Sequence, residues 1–183
     1  VAVAGLGGLG SCIALALART GVGTLHLVDF DCVEPSNLNR QQYRICHLGM
    51  PKTEALKAEI LEINPAVRVL SDNVRVTERN AAALFAADPI VCEALDGAED
   101  KAMLVNALLA GCPDTVVIAA SGMAGTDSAN RIVSRQIGRR LYLCGDGEAE
   151  AKRGQGLMAP RVMVCAGHQA NMALRLILGE TKV

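Results

Sequence analysis

Val1-Ala2-Val3-Ala4-Gly5-Leu6-Gly7-Gly8-Leu9-Gly10 is the stretch that decides the fold: four apolar residues run into a glycine cluster, and Ile13 and Leu17 follow at helical spacing. A strand that turns through Gly-x-Gly-x-x-Gly into a helix is the setting in which that pattern binds nucleotides. Without β-carbons, backbone N–H groups and the helix N-terminus come within hydrogen-bonding reach of phosphate oxygens. Asp29 closes the next apolar run about 20 residues on, where a carboxylate accepts hydrogen bonds from ribose hydroxyls. Gly5, Gly7, Gly8, Gly10 and Asp29 are therefore candidate nucleotide-binding residues. The competing account is structural: glycines also permit tight strand–helix packing, and Asp29 could cap a turn.

Outward from this unit, short apolar runs at residues 1–4, 25–28, 67–70, 90–92 and 116–119 each stop at Gly, Asp, Glu or Ser and read as buried parallel strands. Helical spacing appears between them, in Leu56, Ile60 and Ile63 after Pro51, and in Met103, Leu104, Ala107 and Leu108 before Gly111. The alternation predicts a single-domain α/β protein over 1–183, with a Rossmann-like, doubly wound, mainly parallel sheet. Residues 30–50 and 138–158 read as long connections without periodicity, the first functional and the second, rich in glycine, mobile. After Pro160 a last helix is expected to bury Ala166, Ala170, Ala173, Leu174, Ile177 and Leu178.

The 183 residues and 19.1 kDa fit one domain of ordinary size. A net charge of -1 leaves no basic excess for a long nucleic-acid backbone, so no nucleic-acid partner is expected. Hydrophobic residues make up 51% with aromatics at only 2%, so the core is aliphatic. The cysteines at 12, 32, 46, 92, 112, 144 and 165 include no Cys-x-x-Cys, which argues for a reducing compartment and against a tetra-cysteine zinc site. No apolar run approaches the roughly 20 residues of a membrane span and no signal peptide is visible, so the protein is expected to be cytoplasmic. The first residue is Val1, already inside a strand pattern, and native residues are expected to precede it.

A nicotinamide-dependent oxidoreductase would fit the glycine loop equally well. Arg40 and Lys52 separate the readings, because a triphosphate carries more charge than a helix N-terminus alone offsets. Lys52 follows Pro51, the mark of a helix's first turn, where a cation is unfavourable unless an anion lies nearby. The bland alternative for Lys52 is a surface lysine without a role.

With Asp29-Phe30-Asp31, Ser36-Asn37-Leu38-Asn39-Arg40-Gln41 and Pro51-Lys52 in place, the sequence resembles the ThiF/MoeB/HesA family, relatives of the ubiquitin-activating enzymes. The likeness runs from the glycine loop to Gly167-His168-Gln169-Ala170-Asn171-Met172-Ala173-Leu174. It implies an adenylyltransferase that uses ATP and Mg2+ to adenylate the C-terminal glycine of a small β-grasp carrier, here a ThiS-like sulfur carrier ending in Gly-Gly, in thiamine biosynthesis. By position it implies that Gly8 approaches the phosphates, Asp29 holds the ribose, Asn37, Arg40 and Lys52 contact the polyphosphate, Ser36 sits in the same loop and Asp96 associates with magnesium. Arg40, Lys52 and Asp96 are its implied catalytic residues, and a homodimer its implied assembly. Missing zinc cysteines and extra C-terminal strands match the shorter ThiF type, with no zinc. The family's N-terminal segment, which lends an arginine to the neighbouring subunit's ATP site, is not present ahead of Val1. A non-catalytic partner subunit is a further alternative, one that would predict loss of Arg40, Lys52 or Asp96.

Asp96-Gly97-Ala98-Glu99 also spells a capping box, so Asp96 has a structural competitor to its metal role. Cys144, in the second loop with Arg139, Arg140 and Lys152 near in sequence, is a possible functional thiol. His168 reads as a packed or solvent-facing residue, and His26 and His47 have no partner motif. The cysteines at 12, 92, 112 and 165 read as small core residues. The small residues from Ala119 to Gly125 would let an extended Gly-Gly tail reach the α-phosphate, unless they are plain turn chemistry.

Overall fold

The computed structural model describes residues 1–149 and 156–183. Its strands are β1 (Ala2–Ala4), β2 (Thr24–Asp29), β3 (Arg68–Asn73), β4 (Ile90–Glu93), β5 (Val116–Ala120), β6 (Val133–Ile137) and β7 (Leu141–Gly145). The helices are α1 (Gly8–Arg19), α2 (Lys52–Ile63), α3 (Glu78–Leu84), α4 (Ala98–Gly111) and α5 (Ala159–Ile177). One sheet runs in the order β3-β2-β1-β4-β5-β7-β6, parallel except where β6 pairs antiparallel with β7. The crossovers reverse direction between β1 and β4, so the chain leaves both strands on opposite sides and opens a crevice at their carboxyl ends.

Alternation along β1 explains why both faces of the sheet are covered. Val3 joins Leu6, Ile13, Leu17, Leu56, Ile60 and Val162 under α1, α2 and α5. Ala2 and Ala4 join Phe85, Val91, Leu104 and Leu108 under α3 and α4. Burying such aliphatic side chains stabilises by roughly 1.5–3 kcal/mol each, which compensates for the near absence of aromatics.

Several expectations are corrected. The run at 67–70 is an edge strand whose residues are largely exposed, not a buried one, because only β2 pairs with it. Residues 138–158 do not form one loop: Leu141–Gly145 is β7, inserted between β5 and β6. Gly154 and Lys152, counted with that loop, lie outside the described residues. Strand β6 and helix α3 had no clear periodic signal, being short and largely exposed. Of the face expected for the last helix, Ala166, Ala170 and Ala173 are buried, joined by Val162, Cys165 and Met172, while Ile177 and Leu178 are 48% and 68% exposed.

The connection from Phe30 to Met50 is tied down rather than loose. Tyr43 Oη donates to Leu6 O at 2.8 Å, Gln42 N donates to Ser11 Oγ at 3.1 Å, Val33 N donates to Met50 O at 2.9 Å and Gly49 N donates to Val33 O at 2.9 Å. It therefore holds Arg40 beside Gly8.

His26, which lacked a sequence partner, sits buried between Asp88 (2.7 Å from Nδ1) and Asp72 (2.8 Å from Nε2). Burial works against the charged ring, but the hydrogen bonds and charges of the two aspartates outweigh it and raise the His26 pKa. A raised folded-state pKa contributes stability below the unfolded value of about 6.5, and that contribution is lost as pH rises through the folded pKa. The stability difference between wild type and His26→Gln should thus be larger near pH 6 than near pH 9 in urea titrations. A difference independent of pH would show that the ring is not charged in the fold.

Candidate active site

The glycines of the first loop divide into two kinds. Gly5 has φ +89°, and a Cβ there would lie 2.7 Å from Ala94 O; at Gly10 a Cβ would lie 1.8 Å from Gly5 O. Those two are demanded by packing of α1 onto β1 and β4. Gly7 is different, since a Cβ would meet nothing nearer than Gln41 Nε2 at 3.8 Å and Asp96 Oδ1 at 3.9 Å. The protein's own packing does not require glycine there, and the space beyond the first turn of α1 is left open. No side chain caps α1 and no acid stands in its first turn, so its N-terminal N–H groups keep their affinity for an anion. Gly8 lies beside Val162 and Arg40, whose Cγ would be 3.4 Å from an added Cβ.

Asp29, at the carboxyl end of β2, is 8% exposed. Its Oδ2 accepts from Leu6 N at 2.6 Å and its Oδ1 from Asp31 N at 2.8 Å. The structural competitor for Asp29 is therefore present: the carboxylate holds the glycine turn closed, while its remaining lone pairs border a cavity.

Lys52 is not a surface lysine. Its side chain is 6% exposed and Nζ donates to Asp31 Oδ2 at 2.8 Å, so Asp31 supplies the anion that the first turn of α2 calls for. Asp96 does not cap α4; the N-cap is Gly97 and no side chain bonds there. Asp96 is exposed, with its carboxylate beside Gly7. Arg40 Nη1 donates to Asn39 Oδ1 at 2.9 Å and Ser36 O at 3.3 Å, while its Nε is buried without a hydrogen-bond partner. Ser36 and Asn37 lie in an exposed turn and bond mainly within it, Asn37 Oδ1 accepting from Glu34 N at 3.0 Å.

Two cavities meet at this loop. The smaller, about 160 Å³, is bordered by Gly5, Gly7, Asp29, Asp31, Lys52 and Asp96, with Phe30 and Arg75 at its rim; the Arg75 guanidinium stands 5.2 Å over the Phe30 ring. The larger, about 430 Å³, is bordered by Gly8, Asp96, Lys101, Ser121, Gly122 and Met123. Ala94, Leu95 and Asp96 belong to both, so Asp96 stands where they join. The roof of the larger cavity is pinned by Arg161, which donates to Met123 O, Asp127 O and Asp146 Oδ2 from within the core. Ser36, Asn37, Gly10 and also Arg40 border neither cavity, although Arg40 lies beside Gly8, which borders the larger one.

Cys144 is corrected outright. It is fully buried in β7, and burial raises its thiol pKa. A thiol so placed is neither exposed nor activated. Sequence reasoning missed Lys101 and Glu93, a buried ion pair at the end of β4, and Gln169, whose Nε2 donates to Glu93 O and Ile118 O. The signal for Glu93 was a charged residue closing an apolar strand.

This geometry defines a doubly wound α/β protein whose ligand crevice lies at the switch point between β1 and β4. A model of the ThiF family matches residues 1–183. The chain belongs to the ThiF family. It is 32% identical over 189 residues to the molybdopterin-synthase adenylyltransferase of Escherichia coli K12, covering 100% of this chain and 74% of that one. Over 86 residues it is 44% identical to the tRNA threonylcarbamoyladenosine dehydratase of Bacillus subtilis, covering 46% of this chain and 34% of that one. The E. coli dehydratase solved with ATP shares the fold at a TM-score of 0.87 and 24% identity, over 97% of this chain and 85% of that one. The relatives named adenylyltransferases make this chain an enzyme of the nucleotidyltransferase class, which sets aside the oxidoreductase alternative. No described helix is long and apolar enough to cross a membrane.

Proposed function

We propose that the protein adenylates the C-terminal glycine carboxylate of a small ThiS-like sulfur carrier ending in Gly-Gly, in thiamine (thiazole) biosynthesis, and that it works as a homodimer, as the family likeness implies. The observation that carries the reading is Asp96, exposed at the junction of two cavities, one bordered by Gly7, Asp29 and Lys52 and the other by Gly8, Lys101 and Ser121. Nucleotide in the smaller cavity and an extended tail in the larger would meet beside Gly7 and Gly8. The carrier's carboxylate oxygen attacks the α-phosphorus, a new P–O bond forms, and the bond to the β-phosphate breaks to release pyrophosphate. Lys52, held by Asp31 at the border of the smaller cavity, and Arg40, beside Gly8, stand to offset charge on the non-bridging oxygens and the leaving group.

The single exposed carboxylate of Asp96, open toward Gly7, suits magnesium's preference for one or two carboxylates together with phosphate oxygens. Bound there, magnesium would neutralise polyphosphate charge as Lewis acid. Asp29 keeps the loop closed and offers lone pairs to the ribose. The absence of Cys-x-x-Cys from the sequence supports the short ThiF type over the zinc-bearing one.

ATP–pyrophosphate exchange with a panel of purified carriers tests both reaction and partner. Exchange is expected with a ThiS-type carrier. Stimulation by a molybdopterin-type carrier alone, the reading favoured by the E. coli relative, would move the protein to that pathway, and no exchange with any carrier would overturn the reaction.

A further inference from the structure

The larger cavity carries a charged group that the chemistry above leaves unused. Lys101 lies in the second turn of α4, whose first turn holds Glu99 and Asp100. Its Nζ is 3.1 Å from Glu93 Oε1 and 3.3 Å from Oε2, with Glu93 fully buried and the Lys101 side chain 21% exposed. Among the described residues it is the one cation bordering that cavity.

Packing alone gives Lys101 little reason to be there. A cation near a helix N-terminus is unfavourable, and a buried ion pair is no more stabilising than an apolar pair of the same shape. Glu93 is also already served, since Oε1 accepts from Leu95 N at 2.7 Å and Oε2 from Ala120 N at 3.5 Å. Burial raises the Glu93 pKa, against the pull of Lys101 and these two amides. The carboxylate thus sits behind the ammonium, and the ammonium is what the cavity meets. Two of its three N–H groups are taken by Glu93, leaving one.

Part of the wall is small, at Ala98, Ala120, Ser121 and Gly122, and leaves room for an extended main chain, while Met123, Leu157 and Val162 line another part. An anion that reaches the Asp96 junction through this channel has to approach a polyphosphate, and like charge opposes it. We propose that Lys101 receives the terminal carboxylate of the incoming peptide, its third N–H donating to one carboxylate oxygen while Glu93 fixes Nζ in place. This assignment rests on the adenylation reading.

The test compares one carrier bearing a free C-terminal carboxylate with the same carrier as its C-terminal amide, bound in the presence of a non-hydrolysable ATP analogue. Wild type should prefer the carboxylate by at least about tenfold, and Lys101→Met should bind both within about twofold. Lys101→Arg should keep most of the preference. Because Lys101→Met leaves Glu93 buried without its partner, the double variant E93Q/K101M is measured alongside, with nucleotide affinity by calorimetry as the check that the site is folded. A carboxylate preference retained in the double variant, with exchange intact, overturns the Lys101 assignment alone. Failure of every carrier to bind or drive exchange while ATP still binds overturns the adenylation reading and this assignment with it.

Discussion

Asp96→Asn is expected to lower carrier-dependent pyrophosphate exchange by at least about a hundredfold while the protein stays folded. The two roles open to this residue in the sequence give opposite outcomes. Asn caps a helix about as well as Asp, so a purely capping Asp96 would make the change silent. The structure removes the cap from consideration, because Gly97 occupies that position without side-chain help and Asp96 faces the junction of the cavities. What Asn takes away is therefore the charge beside Gly7. Exchange within a few-fold of wild type would mean that Asp96 does not carry the reaction.

Lys52→Ala should also reduce exchange by about a hundredfold, and here the structure changes the expected effect on stability. On the sequence alone, removing a cation from the first turn of α2 should leave the nucleotide-free protein as stable or slightly more so. The ion pair of the buried Lys52 with the half-exposed Asp31 reverses that sign: Lys52→Ala should destabilise by about 1–2 kcal/mol, moderated because Asp31 is 45% exposed and can be hydrated. The double change to Ala at Lys52 and Asp31 separates the roles. If Lys52 acts on phosphate, the double variant recovers stability but not exchange. Recovery of both would reduce Lys52 to a partner of Asp31.

Strands β1, β2, β4 and β5 were legible because they are short, aliphatic and bounded by polar residues, and helices α1, α2 and α4 because their apolar positions recur at helical spacing. The carboxyl-terminal part was not. Val133–Ile137 and Leu141–Gly145 form an antiparallel hairpin whose first strand is mostly exposed, and glycines around it mimic loop chemistry. That error placed Cys144 on a loop when its side chain is core. In the site, Gly7, Asp29, Lys52 and Asp96 do converge, since each follows directly from a strand end or helix start. The sequence could not reveal that Lys52 is buried, that Arg40 Nε lacks a partner, or that Glu93 and Lys101 meet, because those facts depend on what the intervening chain covers.

The bond from Leu6 N to Asp29 gives the glycine turn a latch made from a residue that also borders the smaller cavity, the proposed nucleotide site. Opening the turn means parting an amide from a carboxylate in a place water scarcely reaches, so the closed form persists until the surrounding packing yields. If Asp29 holds the ribose as proposed, the lifetime of the closed loop and that hold are not independent traits. A change that loosens the carboxylate shortens both, and the residence time of a bound nucleotide is tied to the breathing of the strand-to-helix turn beneath it.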